Sequence, residues 1–121
     1  MSGMNDAVRA YTAAAVHRGL GEQEADVFRL VNGALRRART DDDTMTRVRA
    51  LADNDLLWLT VMDLMRSPSS RLPESLRASL ISIGHTVQRE IRREPPDIDF
   101  LITINENIAS GLSGEAAPAQ P

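Results

Sequence analysis

An all-α fold, a small helical bundle of four main helices with a variable N-terminal arm, is what the 121-residue sequence predicts. Apolar residues recur at helical spacing, three and four apart, from about residue 22 to residue 112. Residues that cap or break helices bound each periodic stretch. The period-two alternation of a half-buried strand occurs nowhere. The chain is long enough for one domain and too short for two. The expected partition is an N-terminal arm over 1–20, partly ordered, a bundle over 21–112, and a disordered tail over 113–121, where Gly, Ala and Pro dominate.

Residues 1–20 combine an alanine-rich stretch with Gly19 and, just beyond, Gly21, and read as a frayed helix or an arm that orders on binding. The first firm helix spans about Glu22 to Arg39. Val27, Leu30, Val31, Ala34, Leu35 and Ala38 are expected to share its buried face, with Arg29, Arg36 and Arg39 pointing away. Glu22, Glu24 and Asp26 at its start and arginines at its end suit the helix dipole.

"TDDD" (40–43) ends that helix and starts the next, because Thr and Asp favour caps over interiors. The second helix, roughly 44–66, is amphipathic through Met45, Val48 and Leu51. From Leu56 to Met65 it is apolar nearly all round, as expected of a central, heavily contacted helix. Asn54 interrupts its oily face. "SPSSR" (67–71) is a turn, and Pro73 suits the first position of a third helix. That helix carries Leu76, Leu80, Ile83, Val87 and Ile91 on a tight stripe, with Ile81 off it beside Arg77 and Gln88. Gly84 sits mid-helix at a cost of about 1 kcal/mol relative to Ala, which close approach of a neighbouring helix would explain.

"EPPD" (94–97) stops the third helix, and Asp97 can cap the fourth, "IDFLITINENIASGL". Leu101, Ile104, Ile108 and Leu112 form its stripe. With Phe100, Ile102 and Ala109 the apolar arc reaches roughly 200°, about twice what a surface helix needs. Asn105 projects from inside that arc, where an unpaired amide is costly.

Composition removes several function classes. There is no Cys, and the two histidines, His17 and His85, are far apart, so neither thiolate chemistry nor a zinc-type site is expected. Asp41–Asp43 lacks the ligand spacing and glycine of a calcium loop. There is no phosphate-cradling glycine loop and no serine elbow, so neither an enzyme nor a cofactor is expected. The N-terminus does not resemble a signal peptide, and the longest oily run, "LLWLTVMDLM", is too short to span a bilayer. A cytoplasmic protein without membrane insertion is the expectation. The net charge of −3 opposes general nucleic-acid affinity. A basic patch of Arg36, Arg37, Arg39, Arg47 and Arg49 is the one RNA-binding candidate, and the neighbouring aspartates offset it. Met45, Met62 and Met65 suit either an adaptable surface or, more simply, core packing.

Three blocks carry a resemblance. "NDLLW" (54–58, with its Asn-x-x-Leu-Trp pattern), "LPESLRASLISIG" (72–84) and "LITINENIASGL" (101–112) together resemble the FlaF family of flagellar biosynthesis regulators. The likeness covers about residues 22–112. "GLGEQEAD" departs from the Pro-Arg-Glu type start frequent in that family, and Ala10–Tyr11 matches only a short Ala-Tyr element. Asp53, Asp55 and Leu56 stand where more basic residues are expected.

The resemblance implies a non-enzymatic protein of flagellar assembly, acting on flagellin production in concert with or opposition to the translational regulator FlbT. It also implies chaperone-like binding of newly made flagellin. A groove between the second and fourth helices is then expected, with Leu57, Trp58, Ile104, Ile108 and Leu112 as apolar anchors. Asn54 and Asn105 would fix register, and Arg77 and Ile81 would form a rim. On the alternative packing, Asn54 and Asn105 bond each other or nearby backbone, and the apolar surplus is covered by residues 1–20 or by a second copy in a homodimer. The rival functional reading is post-transcriptional RNA binding to flagellin mRNA.

Overall fold

A computed structural model describes residues 22–68 and 72–112. The arm over 1–20, the last residues of the turn over 67–71, and the tail over 113–121 lie outside the described residues, as do the side chains of Glu22, Gln23 and Leu112. Four helices follow in order: α1 (Glu22–Thr40), α2 (Thr44–Arg66), α3 (Glu74–Ile91) and α4 (Ile98–Leu112). There is no strand among the described residues. The all-α bundle expected from periodicity is the fold observed.

Local chemistry sets the helix ends. Asp43 is the N-cap of α2, its carboxylate accepting the Met45 amide at 3.0 Å. Asp97 accepts the Phe100 amide at 3.0 Å and opens α4. Pro73 sits one position before α3 rather than inside it, as its N-cap without a side-chain bond. The buried Glu90 carboxylate receives the Asp97 amide at 2.8 Å and so ties the end of α3 to the start of α4.

The extensively packed pairs are α1 with α4, α2 with α3, and α1 with α2. The central unit is therefore the α1–α2 hairpin, with α4 on α1 and α3 on α2. Gly84 fits the close approach expected of it. A Cβ there would stand 2.5 Å from Sδ of Met62, so the bare backbone of α3 accommodates a buried side chain of α2. Phe28 and Trp58 meet edge to face at 5.7 Å between ring centroids, joining α1 to α2.

The buried face of α1 differs from the expected one. Ala25, Phe28, Val31, Asn32, Leu35 and Ala38 are buried, whereas Val27 is 47% and Leu30 73% exposed. Packing on both α4 and α2 turns the helix so that Phe28 and Asn32 face inward. The second half of α2 also differs, because only one of its sides is heavily contacted. Ala50, Asn54, Trp58, Met62 and Met65 are buried, while Leu56, Leu59 and Leu64 stand out from the surface.

Candidate functional site

Two features merit attention as sites: a polar cluster inside the bundle and an apolar face outside it. The inner cluster is built from one asparagine on each of α1, α2 and α4, plus Trp58. All four side chains are no more than 2% exposed. The indole Nε1 of Trp58 donates to Oδ1 of Asn105 at 2.9 Å. The amide nitrogen of Asn105 donates to Oδ1 of Asn32 at 3.0 Å and to Oδ1 of Asn54 at 2.6 Å. Asn32 in turn donates to the Ile102 carbonyl at 3.0 Å.

Chemistry fixes the direction of this relay. An indole N–H can only donate, so the Asn105 atom facing it must be the oxygen. Its nitrogen then faces the other two asparagines, which must present oxygens. Asn32 is left with its nitrogen toward a carbonyl, a correct match. Asn54 is left with Nδ2 buried and without a partner. An orphaned donor of this kind costs about 1–3 kcal/mol.

Residues expected to line a groove between the second and fourth helices are instead interior. Trp58 is 0%, and Ile104 and Ile108 are each 4% exposed. Between α2 and α4 the buried bonds of Asn105 to Trp58 and Asn54 take the place of a vacant groove, and α4 turns much of its wide apolar arc inward. Asn54 and Asn105 bond each other, as the alternative packing expects. Leu57 and Ile81 are half-buried against the core. Arg77 does not form a rim either. Its guanidinium donates to the carbonyls of Leu72 at 3.1 Å and Met65 at 3.2 Å, satisfying acceptors where α2 ends. Asn32 escapes the sequence reading; its placement four residues after Phe28 and three before Leu35 is the signal that identifies it.

The outer feature runs along α2. Met45 (51%), Val48 (51%), Leu56 (64%) and Leu59 (42%) are exposed, and with the exposed Ala52 they recur at intervals of three and four residues. They form one stripe on the side opposite Asn54 and Trp58. Leu64 on α2 and Val27 and Leu30 on α1 are further exposed apolar side chains. A row of exposed apolar side chains on one helix face is a candidate interaction surface.

The charged candidates are less suggestive. Arg36 pairs with Glu106, and Arg39 with Asp99 at 2.6 Å, so two of the five patch arginines hold α1 to α4. An open cleft at that end of the bundle is lined by Arg39, Arg47, Pro95, Pro96, Asp97 and Asp99, with both signs of charge represented. Among the described residues no group of three or more His, Cys, Asp or Glu could hold a metal, and no helix is long and apolar enough to cross a membrane.

No curated protein and no solved structure matches the chain. The family model described as flagellar protein FlaF matches residues 7–112, nearly the whole sequence. The three blocks behind that likeness map onto the middle of α2, the first part of α3, and α4, and two of them contribute to the asparagine relay. The chain belongs to the flagellar protein FlaF family.

Proposed function

We propose that this flagellar protein promotes flagellin synthesis and export by binding newly made flagellin as a chaperone-like bundle in the cytoplasm, acting together with FlbT. The observation that carries the reading is the exposed α2 stripe of Met45, Val48, Ala52, Leu56 and Leu59. Its spacing suits an amphipathic helix laid alongside, the mode by which a bundle shields a segment that would otherwise aggregate. The interior position of Trp58, Ile104 and Ile108 moves the anchors from the seam between α2 and α4 to this outer face, while half-buried Leu57 packs against the core.

Isothermal titration with purified flagellin and FlbT, separately and together, tests the proposal. Saturable flagellin binding is expected, weakened at least about tenfold by the pair Leu56→Glu and Leu59→Glu, the loss of two apolar anchors. Unchanged affinity in that folded variant overturns the proposed face. A low-salt gel shift with flagellin leader RNA tests the rival reading, which requires steep salt dependence.

A further inference from the structure

The outer stripe of α2 is symmetric along its length. Met45, Val48, Ala52, Leu56 and Leu59 are separated by three, four, four and three positions, with the small Ala52 at the centre. Bulkier apolar side chains stand on both sides of it. A face of this kind matches its own reverse. When two copies of α2 meet antiparallel about a two-fold axis at Ala52, Met45 of each comes level with Leu59 of the other, and Val48 with Leu56. Ala52 meets itself, as an isologous contact allows. A methyl group at the crossing lets the two axes approach within the roughly 8–10 Å of packed helices.

The charges beside the stripe suit the same register. At 100° per residue, Arg49 and Asp53 project about 60° and about 100° to one side of Ala52. Both are exposed, and although they stand four positions apart, neither forms an ion pair among the described residues. The other side of the stripe is taken by α3, through Met62 at Gly84 and through Asp55, which accepts from Gln88 Nε2 at 3.3 Å. In an antiparallel pair each flank faces the same flank of the second copy. Arg49 of one chain then lies about 3 Å along the axis from Asp53 of the other, within ion-pairing reach, and the symmetry makes this contact twice. A parallel pair sets each flank against the opposite one, where the nearest acid, Asp55, is about 9 Å along the axis from Arg49. Charge therefore favours the antiparallel arrangement.

We infer that the outer face of α2 is a self-association surface, on which two copies of this chain pair antiparallel about Ala52. The contact is small. One helix face from each copy falls short of the roughly 1,200 Å² at which stable complexes begin, so the dissociation constant is on the order of 0.1 mM and dilute chains are monomers. Self-pairing goes beyond the flagellin reading and does not depend on it. Where both hold, a second copy and flagellin compete for one face, and the weaker occupant keeps the stripe out of water until the stronger arrives.

The absence of cysteine makes a direct test practical. At about 0.5 mM full-length chain, Ala52→Cys should oxidise to a covalent dimer at least about tenfold faster than Met45→Cys, because a disulfide needs Cα atoms about 4.4–6.8 Å apart. Only position 52 meets its own copy in the antiparallel register. Equal rates, or faster linkage at position 45, overturn the pairing. An intrachain segment lying over the stripe gives no preference for position 52 and overturns it as well. Sedimentation equilibrium of cysteine-free chains supplies a second readout. Arg49→Asp and Asp53→Arg should each weaken self-association at least about fivefold, and the two together should restore it. Failure of the double variant to recover overturns the register. A chain that sediments as a monomer throughout, up to about 1 mM, overturns the self-association itself. Neither readout involves flagellin, so the outcome is separate from that of the flagellin titration.

Discussion

The helices α2 and α4 are both unusually oily, and they use that oil in opposite ways. Helix α4 spends its wide apolar arc inside: Leu101, Ile102, Ile104, Ile108 and Ala109 are all buried, and the amide in their midst is fully engaged. Helix α2 buries one side around Trp58 and Met62 and leaves the other, with Leu56 and Leu59, facing water. An apolar side chain records that a surface is to be covered. It does not record by what.

The sharpest way to break this contrast is to charge both helices. Ile108→Glu places a carboxylate at a position 4% exposed, and loss of more than about 4 kcal/mol, in practice unfolding, is expected in urea melts. Next comes the relay. Asn105→Leu leaves the Trp58 indole and the oxygens of Asn32 and Asn54 without their partner and should cost about 3 kcal/mol or more. Asn54→Leu, equally buried, should cost distinctly less, because its Nδ2 is already unpaired. Equal losses from the two substitutions would contradict the bonding scheme.

Smaller still is Gly84→Ala. The added methyl group meets Met62, an overpacking cost of about 1–3 kcal/mol, against a helix-propensity gain of about 1 kcal/mol. A net loss is expected, and it should shrink when Met62→Ala is made in the same chain. At the far end of the scale, Leu59→Glu on the open face of α2 should change stability by no more than about 0.5 kcal/mol. A large loss there would mean that the outer stripe is covered within the monomer.

Helix existence and boundaries were legible because the terminators are local. Asp43, Asp97 and the Pro95–Pro96 pair act on neighbouring amides and dihedrals, and the observed ends of α1, α2 and α4 fall within one residue of the expected ones. The facing of α1 was less legible. Its inner side is set by where α4 and α2 lie, and a reading that weights Val27 and Leu30 by hydrophobicity alone misses that rotation. Asn32 was hidden for a related reason, since its partners are 70 and 73 positions away. A polar residue reads as a solvent face until the distant acceptor is known. Family membership was legible in the NDLLW, LPESLRASLISIG and LITINENIASGL blocks, but the family likeness does not reveal which oily face stays open. That depends on packing geometry.

Trp58 is the only tryptophan in the chain. It touches Phe28 of α1 and donates to Asn105 of α4 while itself belonging to α2, so three helices converge on one indole. Its fluorescence is therefore a built-in gauge of whether those helices remain assembled. A ligand that settles on the outer face of α2 should leave the emission maximum where it is. One that pries α4 away should move it to the red, as water reaches the ring. The unmodified protein can thus distinguish docking from opening in a single titration.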